Sequence, residues 1–377
     1  MGSRWGIVLP GLPQLLRGKF LEGGVALVLW LGLLGSSLYR FDRILRAPFG
    51  DLEEWVALLT LVGVLGGVWW WSFVMNARHR LNGHSGGGKA WAEGWRAFRA
   101  NRMAMMGLGI VCVLYLAMLL APFLAPFEPE AREAFEVGGD MAARLAPPSS
   151  VHPMGTDQYS QDVLSRILYG ARITLTLGLL AVGMSLTVGV FLGAVAGYWG
   201  GRLDAVIMRF VDMVMAFPRL VLLIAIVALF TPSVFVVVVA LAFTQWPFTT
   251  RMVRGEIIAL KEREFAEAAR AMGFSPGRIL FGHLLPNALG PLIVVATLGI
   301  GNVILLEAGL SFLGLGLQAS TPSWGFMVSS GRDYMMDAWW VSAFPGLAIV
   351  LAVLAFNLVG DGLRDALDPR QRKGVNR

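Results

Sequence analysis

The sequence has few charged residues and almost no cysteine. Only 15% of its 377 residues are Asp, Glu, Lys or Arg, whereas 56% are hydrophobic and the mean hydropathy is +0.65. Soluble domains carry roughly a quarter of their residues as charged residues, and disordered chains carry even more. The single cysteine, Cys112, excludes a scaffold of intrachain disulfides. The composition therefore predicts an integral membrane protein.

Apolar runs long enough to cross about 30 Å of hydrocarbon occur along the whole chain. They lie at about 21–38, 55–76, 103–125, 173–197, 204–230, 233–250, 287–310 and 341–360. If the N terminus is cytoplasmic, Lys and Arg concentrate in the cytoplasmic loops, so both termini are expected in the cytoplasm. This bias also explains the net charge of +6. Because the basic residues are accounted for by topology, nucleic acid is not expected as a partner.

The composition changes near residue 90, where we place a domain boundary. Residues 1–90 are predicted to form an extension of two transmembrane helices and a Gly-rich linker. Residues 91–377 are predicted to form a six-helix body, with a core at 171–360 and a cytoplasmic loop at 251–286. The expected fold class is an all-α polytopic membrane protein.

Two short patterns in the linker are typical of enzymes. GHSGG at 83–87 satisfies G-x-S-x-G, in which Ser85 would be the nucleophile of a hydrolase, and 83–89 fits G-x-x-x-x-G-K. No predicted strand precedes either pattern, and Ala90 stands where a Mg²⁺-binding Ser or Thr is needed. A flexible linker is favoured, and a membrane-embedded serine hydrolase using Ser85 is the alternative function. The four histidines lack metal-ligand spacing, so neither a metal nor a cofactor is expected.

The loop at 251–286 is predicted to contain two short helices joined by a turn. Its first helix has an apolar stripe at spacings of three, four and seven, made of Ile258, Phe265, Ala268, Ala269 and Met272. Glu267 lies on the charged face, and Gly273 is placed to end the helix in a left-handed conformation. Ser275 and Pro276 predict the start of the second helix, and Pro286 predicts its end. Small residues in the stripe favour docking into another protein over lying on the membrane surface.

Polar residues within the apolar runs are expected to avoid lipid. Asp212, Asn302 and Glu307 are predicted to lie on a translocation path or at a subunit interface, with Glu307 at the outer end of its span. For Asp212, a salt bridge with Arg209 is favoured over a substrate contact. Ser185, Gly189, Gly193 and Gly197 recur every four residues and predict a thin helix face for close packing.

The motifs resemble permease subunits of binding-protein-dependent ABC importers. EAARAMG (267–273) and HLLPN (283–287) are similar to the E-A-A-x-x-x-G…L-P loop of that family. Further segments resemble the C-type subunit of its oligopeptide, dipeptide and nickel branch: FRANRMAMMGLGIV (98–111), HPMGTDQYSQDVLSRILYGARITL (152–175), GYWGGRLDAVIMRFVDMVMAFPRL (197–220), EAGLSFLGLGLQASTPSWG (307–325) and NLVGDGLRDALDPR (357–370). The resemblance covers roughly residues 95–373. Gln161 and Arg219 depart from the family pattern.

The resemblance implies a type I importer permease whose six helices form half of a translocation pathway, in a bacterial cytoplasmic (inner) membrane. The residues implied in coupling to a separate ATPase are Glu267, Ala268, Ala269, Gly273, Ser275 and Pro286. The implied partners are a homologous permease subunit, one or two types of ATP-binding subunit, an extracytoplasmic solute-binding protein and membrane lipid. ATP hydrolysis is expected in a partner, and a channel without an ATPase would not need the docking loop. Peptides, nickel chelates and modified peptides all stay open as substrates.

Overall fold

The computed structural model describes residues 87–129, 144–230, 233–317 and 322–367, with side chains from Gly94 onward. Within these ranges the chain is helical apart from loops and one isolated β-bridge between Thr156 and Asp162. The all-α fold class is therefore confirmed. The predicted spans at 21–38 and 55–76 and the linker with Ser85 lie outside the described residues.

The helices are numbered here in chain order. They are α1 (Gly87–Ala100), α2 (Arg102–Leu124), α3 (Val163–Trp199), α4 (Gly201–Met215), α5 (Arg219–Ala228), α6 (Val234–Lys261), α7 (Glu264–Ala271), α8 (Pro276–Phe312), α9 (Trp324–Gly331) and α10 (Trp340–Leu367). In the described part of the chain, α2, α3, α6, α8 and α10 are each long and apolar enough to cross a membrane. The bent pair α4 and α5 makes a sixth span if it is counted as one.

The predicted span at 204–230 is not one straight helix. It divides into α4 and α5, which are bent by 82° relative to each other. Pro218 occupies the N-cap position of α5, where it has no N–H to donate and its ring would clash with the carbonyl four residues earlier in a continuous helix. Hydropathy averages over the whole run and therefore does not detect this break.

The four-residue repeat on α3 is a packing face, as predicted. A Cβ at Gly193 would lie only 2.5 Å from the Thr250 carbonyl oxygen and 2.8 Å from the Val253 Cβ. A Cβ at Gly189 or Gly197 would also approach α6, to 2.6 Å and 2.8 Å. Because these glycines have no side chain, the backbones of α3 and α6 approach closely.

The loop before α3 forms a polar cluster at the end of the body opposite α7, because successive spans alternate in direction. Arg166 Nη1 donates to Asp157 Oδ2 over 2.7 Å and also to Gln161 Oε1, which gives Gln161 a clear structural contact. Burial raises the pKa of the Asp157 carboxyl, whereas the charge of Arg166 lowers it. The Trp340 indole donates to the Thr156 carbonyl over 3.1 Å and so ties α10 to this loop.

Candidate functional site

The short helix α7 is separated from the membrane helix that precedes it. We expected one helix to include both Ile258 and Met272, but α6 ends at Lys261 and α7 begins at Glu264. Ile258 therefore belongs to α6. The break is stabilised by Arg270, whose guanidinium donates to the Lys261 carbonyl at the C-terminal end of α6.

Each face of α7 has a distinct environment. Ala266 and Ala269 are buried, and they pack in a cluster with Ile257 of α6 and with Leu280 and Leu284 of α8. Glu264, Glu267, Ala268 and Ala271 point the opposite way and are exposed, with Phe265 and Met272 exposed beside them. The expected single stripe is thus wrong, because residues 100° apart around the helix place Ala268 outside and Ala269 inside. We call the exposed residues Glu264, Phe265, Glu267, Ala268, Ala271 and Met272 the outer face of α7.

The turn after α7 has the predicted glycine geometry. Gly273 has a φ of +76°, which is the left-handed conformation. The Phe274 N–H donates to the Ala269 carbonyl over 3.2 Å and the Gly273 N–H donates to the Arg270 carbonyl over 2.9 Å, a Schellman pattern. The Phe274 ring then stacks on the His283 ring, with 5.6 Å between the ring centroids. The turn is therefore fixed by backbone bonds and by an aromatic contact.

The helix after this turn differs from the prediction at its end. Ser275 occupies the N-cap position but makes no capping hydrogen bond with its side chain, and Pro276 is in the first turn. Pro286 does not end the helix, because α8 continues from Pro276 to Phe312. A π-helical turn at Leu280–Leu284 ends two residues before Pro286 and accommodates this residue, which lacks an N–H. The cytoplasmic loop predicted at 251–286 is thus continuous with a membrane span.

A cavity of about 630 Å³ opens beside the bend between α4 and α5. Its walls are mostly apolar, and its polar side chains are Arg219, Thr244, Gln245 and Asn302. Arg219 Nη2 donates to Gln245 Oε1 over 2.9 Å. The sequence singled out Asn302 and noted Arg219 only as a departure from the family pattern. The Pro218 break, which brings Arg219 to the cavity, was the signal that could have identified it.

The two acidic residues predicted for the pathway or the subunit interface are not among the residues that line this cavity. Asp212 forms an exposed ion pair with Arg251 of α6, so the predicted pairing with Arg209 is wrong. Glu307 is only 1% exposed, and its Oε1 accepts hydrogen bonds of 2.9 Å from both Ser311 and Ser323. Glu307 is therefore enclosed by its own subunit and does not face a pathway or a partner, which corrects the expectation for this residue.

Comparison with known proteins identifies the family. Residues 189–373 match the binding-protein-dependent transport system inner membrane component, and residues 89–148 match the N-terminal TM domain of oligopeptide transport permease C. The chain is 44% identical to the dipeptide transport system permease protein DppC of Alkalihalophilus pseudofirmus over 282 residues, which cover 75% of this chain and 90% of the relative. It is 42% identical to the probable D,D-dipeptide transport system permease protein DdpC of Escherichia coli over 261 residues, 69% of this chain and 85% of the relative.

A solved structure of the inward facing MetNI methionine ABC transporter is also similar, at 22% identity and a TM-score of 0.45, over 54% of this chain and 97% of that chain. The identity to the two bacterial permease proteins is far higher and extends over most of their length. The chain therefore belongs to the family of binding-protein-dependent transport system inner membrane components, as a multi-pass permease subunit of an ABC importer.

Proposed function

We propose that this permease forms half of a pathway for short peptides and couples it to a separate ATPase through α7. The relatives are named as transport proteins for dipeptides and D,D-dipeptides, which supports peptides as the solute. ATP hydrolysis would reside in ATP-binding partner subunits. A homologous permease would supply the other half of the pathway, and a solute-binding protein would deliver peptide at the end opposite α7. We place both termini in the cytoplasm of a bacterium, on the positive-inside argument.

The observation that carries this proposal is the outer face of α7. Ala266 and Ala269 on the opposite face are buried and fix α7 on the body, whereas Phe265 and Met272 of the outer face are 39% and 64% exposed. Exposed apolar side chains beside Glu264 and Glu267 are typical of a helix that enters a groove with basic residues at its rim. Glu267, Ala268, Gly273 and the turn at Ser275 would contact or orient the docked helix, whereas Ala269 and Pro286 would act from within the subunit.

The serine hydrolase alternative is not supported by the family to which the chain belongs. Ser85 lies outside the described residues, and the family matches begin at residue 89. We therefore propose no catalytic residue in this chain.

Charge reversal on the outer face tests the docking role. In a reconstituted importer, Glu267→Arg should abolish peptide-stimulated ATP hydrolysis and uptake, because repulsion replaces attraction at the rim of the groove. The permease pair should still assemble. Asp365→Arg is the matched control: Asp365 is also an exposed carboxylate, but it lies on α10 and not on the outer face of α7. Full uptake by Glu267→Arg would remove the docking role.

The turn provides an independent test of the same role. Gly273→Val forces a β-branched residue to positive φ, which costs about 1–2 kcal/mol or displaces α8 from α7. We expect it to uncouple ATP hydrolysis from uptake while membrane insertion is kept. Gly277→Val is the control, since Gly277 has an ordinary φ and no neighbouring atom within 4 Å of an added Cβ. Equal uptake by both variants would contradict a requirement for this turn.

A further inference from the structure

The cavity beside the α4 and α5 bend contains a cation, Arg219, that has no counterion among the described residues. Arg219 is partly buried, and its side chain hydrogen-bonds only to Thr244 and Gln245 within the described part of the chain. None of the ion pairs between described residues includes Arg219. None of the described residues that line the cavity carries a carboxylate either. A cation at membrane depth is costly, and the described residues supply no anion to balance it.

Neighbouring residues hold this cation in place. Gln245 accepts from Arg219, and the Gln245 amide itself lies against Gly299 of α8, where an added Cβ would be 2.6 Å from the Gln245 Nε2. A residue larger than glycine at 299 would displace Gln245 and its bond to Arg219. Arg219 is also the first residue of α5, where the positive end of the helix dipole adds to its charge. Three helices therefore combine to present one positive site.

We propose that Arg219 binds the C-terminal carboxylate of the peptide during its passage through this cavity. The inference rests on the proposed function, since it takes a peptide as the solute. A carboxylate is the geometric match for a guanidinium and forms two parallel N–H···O bonds with it. The remaining cavity suits the rest of a short peptide: Asn302 offers an exposed amide, and Phe217 and Phe248 offer apolar walls.

The size of the cavity favours a small solute over an acidic side chain of a partner subunit. A volume of about 630 Å³ falls within the usual range for small-molecule sites, roughly 300–1,000 Å³. A single carboxylate side chain would leave most of that space unfilled. An ion pair between Arg219 and a partner subunit would give a different experimental result, because it would be needed for assembly and not for solute selection.

The test compares a dipeptide with its C-terminal amide, which lacks the carboxylate charge. The complete importer is reconstituted in vesicles, and uptake of Ala-Phe and Ala-Phe amide is measured for the unsubstituted chain and for Arg219→Gln. We expect Arg219→Gln to lower uptake of the free acid about tenfold or more, the loss of one charge-assisted hydrogen-bonded pair, and to change amide uptake less than about twofold. Comparing the same solute between variants cancels the selectivity of the solute-binding protein. Arg202 is an exposed arginine at the start of α4, and Arg202→Gln should leave the ratio of Ala-Phe uptake to Ala-Phe amide uptake unchanged.

A charge-rescue experiment is used if the amide is not carried at all, or if Arg219→Gln does not assemble. In a Cys112→Ala background, Arg219→Cys is modified with a cationic or a neutral methanethiosulfonate of similar size. Recovery of Ala-Phe uptake with the cationic reagent alone supports the proposal. The proposal would be overturned if uptake of the acid and of the amide fell equally, or if both reagents restored uptake equally. It would also be overturned if the cationic reagent restored only the assembly of the permease pair. If the unsubstituted importer carries no peptide, the proposed function fails first; if it carries peptides without this charge dependence, only the inference fails.

Discussion

Glu307 shows how a polar residue inside a membrane span can be held within its own subunit, although its Oε2 is buried without a hydrogen-bond partner among the described residues. Its Oε1 accepts from Ser311, one turn further along α8, and from Ser323, which is the N-cap of α9. Ser323 in turn accepts from the Phe326 N–H. The carboxyl group thus links the end of α8 to the start of α9.

Replacing Glu307 should therefore affect stability before it affects transport. Glu307→Gln keeps an acceptor oxygen for both serines and should leave the apparent melting temperature in detergent nearly unchanged. Glu307→Ala leaves both hydroxyls without their acceptor and should cost about 1–3 kcal/mol, seen as an earlier loss of the monodisperse species on heating. A Glu307→Ala protein as stable as the unsubstituted chain would show that the two bonds are dispensable.

Residue identities alone could not assign these partners. Asp212 was expected to pair with Arg209, one turn away on the same helix, but its partner is Arg251, 39 positions later. Local spacing gives candidates within one helix and contains no information on which helix lies beside it. The burial of Glu307 was missed for the same reason, since Ser323 follows the end of α8 and reaches back to it only in the folded chain.

The α3 and α6 pair gives a sharp prediction at the level of the helix. Gly193→Val places a Cβ within 2.5 Å of the Thr250 carbonyl oxygen, a distance that forces the two backbones apart. We expect loss of folded protein, measured as the monodisperse fraction after extraction. Gly183→Val lies on the same helix with no atom within 4 Å of its added Cβ, and it should be recovered at nearly the normal level. Similar recoveries would mean that this face tolerates separation.

Different elements were predictable to different degrees. The left-handed turn at Gly273 followed from sequence because a glycine after a periodic helix is a local signal. The bend at Pro218 had a local signal too, but the long apolar run around it suggested a straight span. The continuation of α8 through Pro286 had no such signal, because Gly282 and Pro286 both favour a helix end in sequence, whereas Leu280 and Leu284 pack in the buried cluster with Ile257 and Ala269. Tertiary contacts decided that element.

At the scale of the whole molecule, we predict that the body from residue 91 onward folds without the extension. Phe98 of α1 packs with Ala104 of α2 and with Val359 and Ala366 of α10. Deleting residues 1–90 retains this cluster, so the truncated chain should still insert and bind its ATP-binding partner. Deleting residues 1–100 removes Phe98 and should lower the recovery of assembled complex. Loss of the complex with the shorter deletion, while the chain stays inserted, would contradict the placement of the boundary near residue 90.

The continuous course of α8 through its π-helical turn has a mechanical consequence if the helix moves as one body. At about 1.5 Å per residue, its 37 residues form a rod about 55 Å long. A rigid rod that tilts by about 5° at one end sweeps about 5 Å at the other. Gly299 and Asn302 lie on this rod roughly two-thirds of the way from the α7 turn. A tilt of about 5° at the α7 turn would then move this part of the cavity wall by roughly 3 Å, which would bring Gln245 and Arg219 out of register.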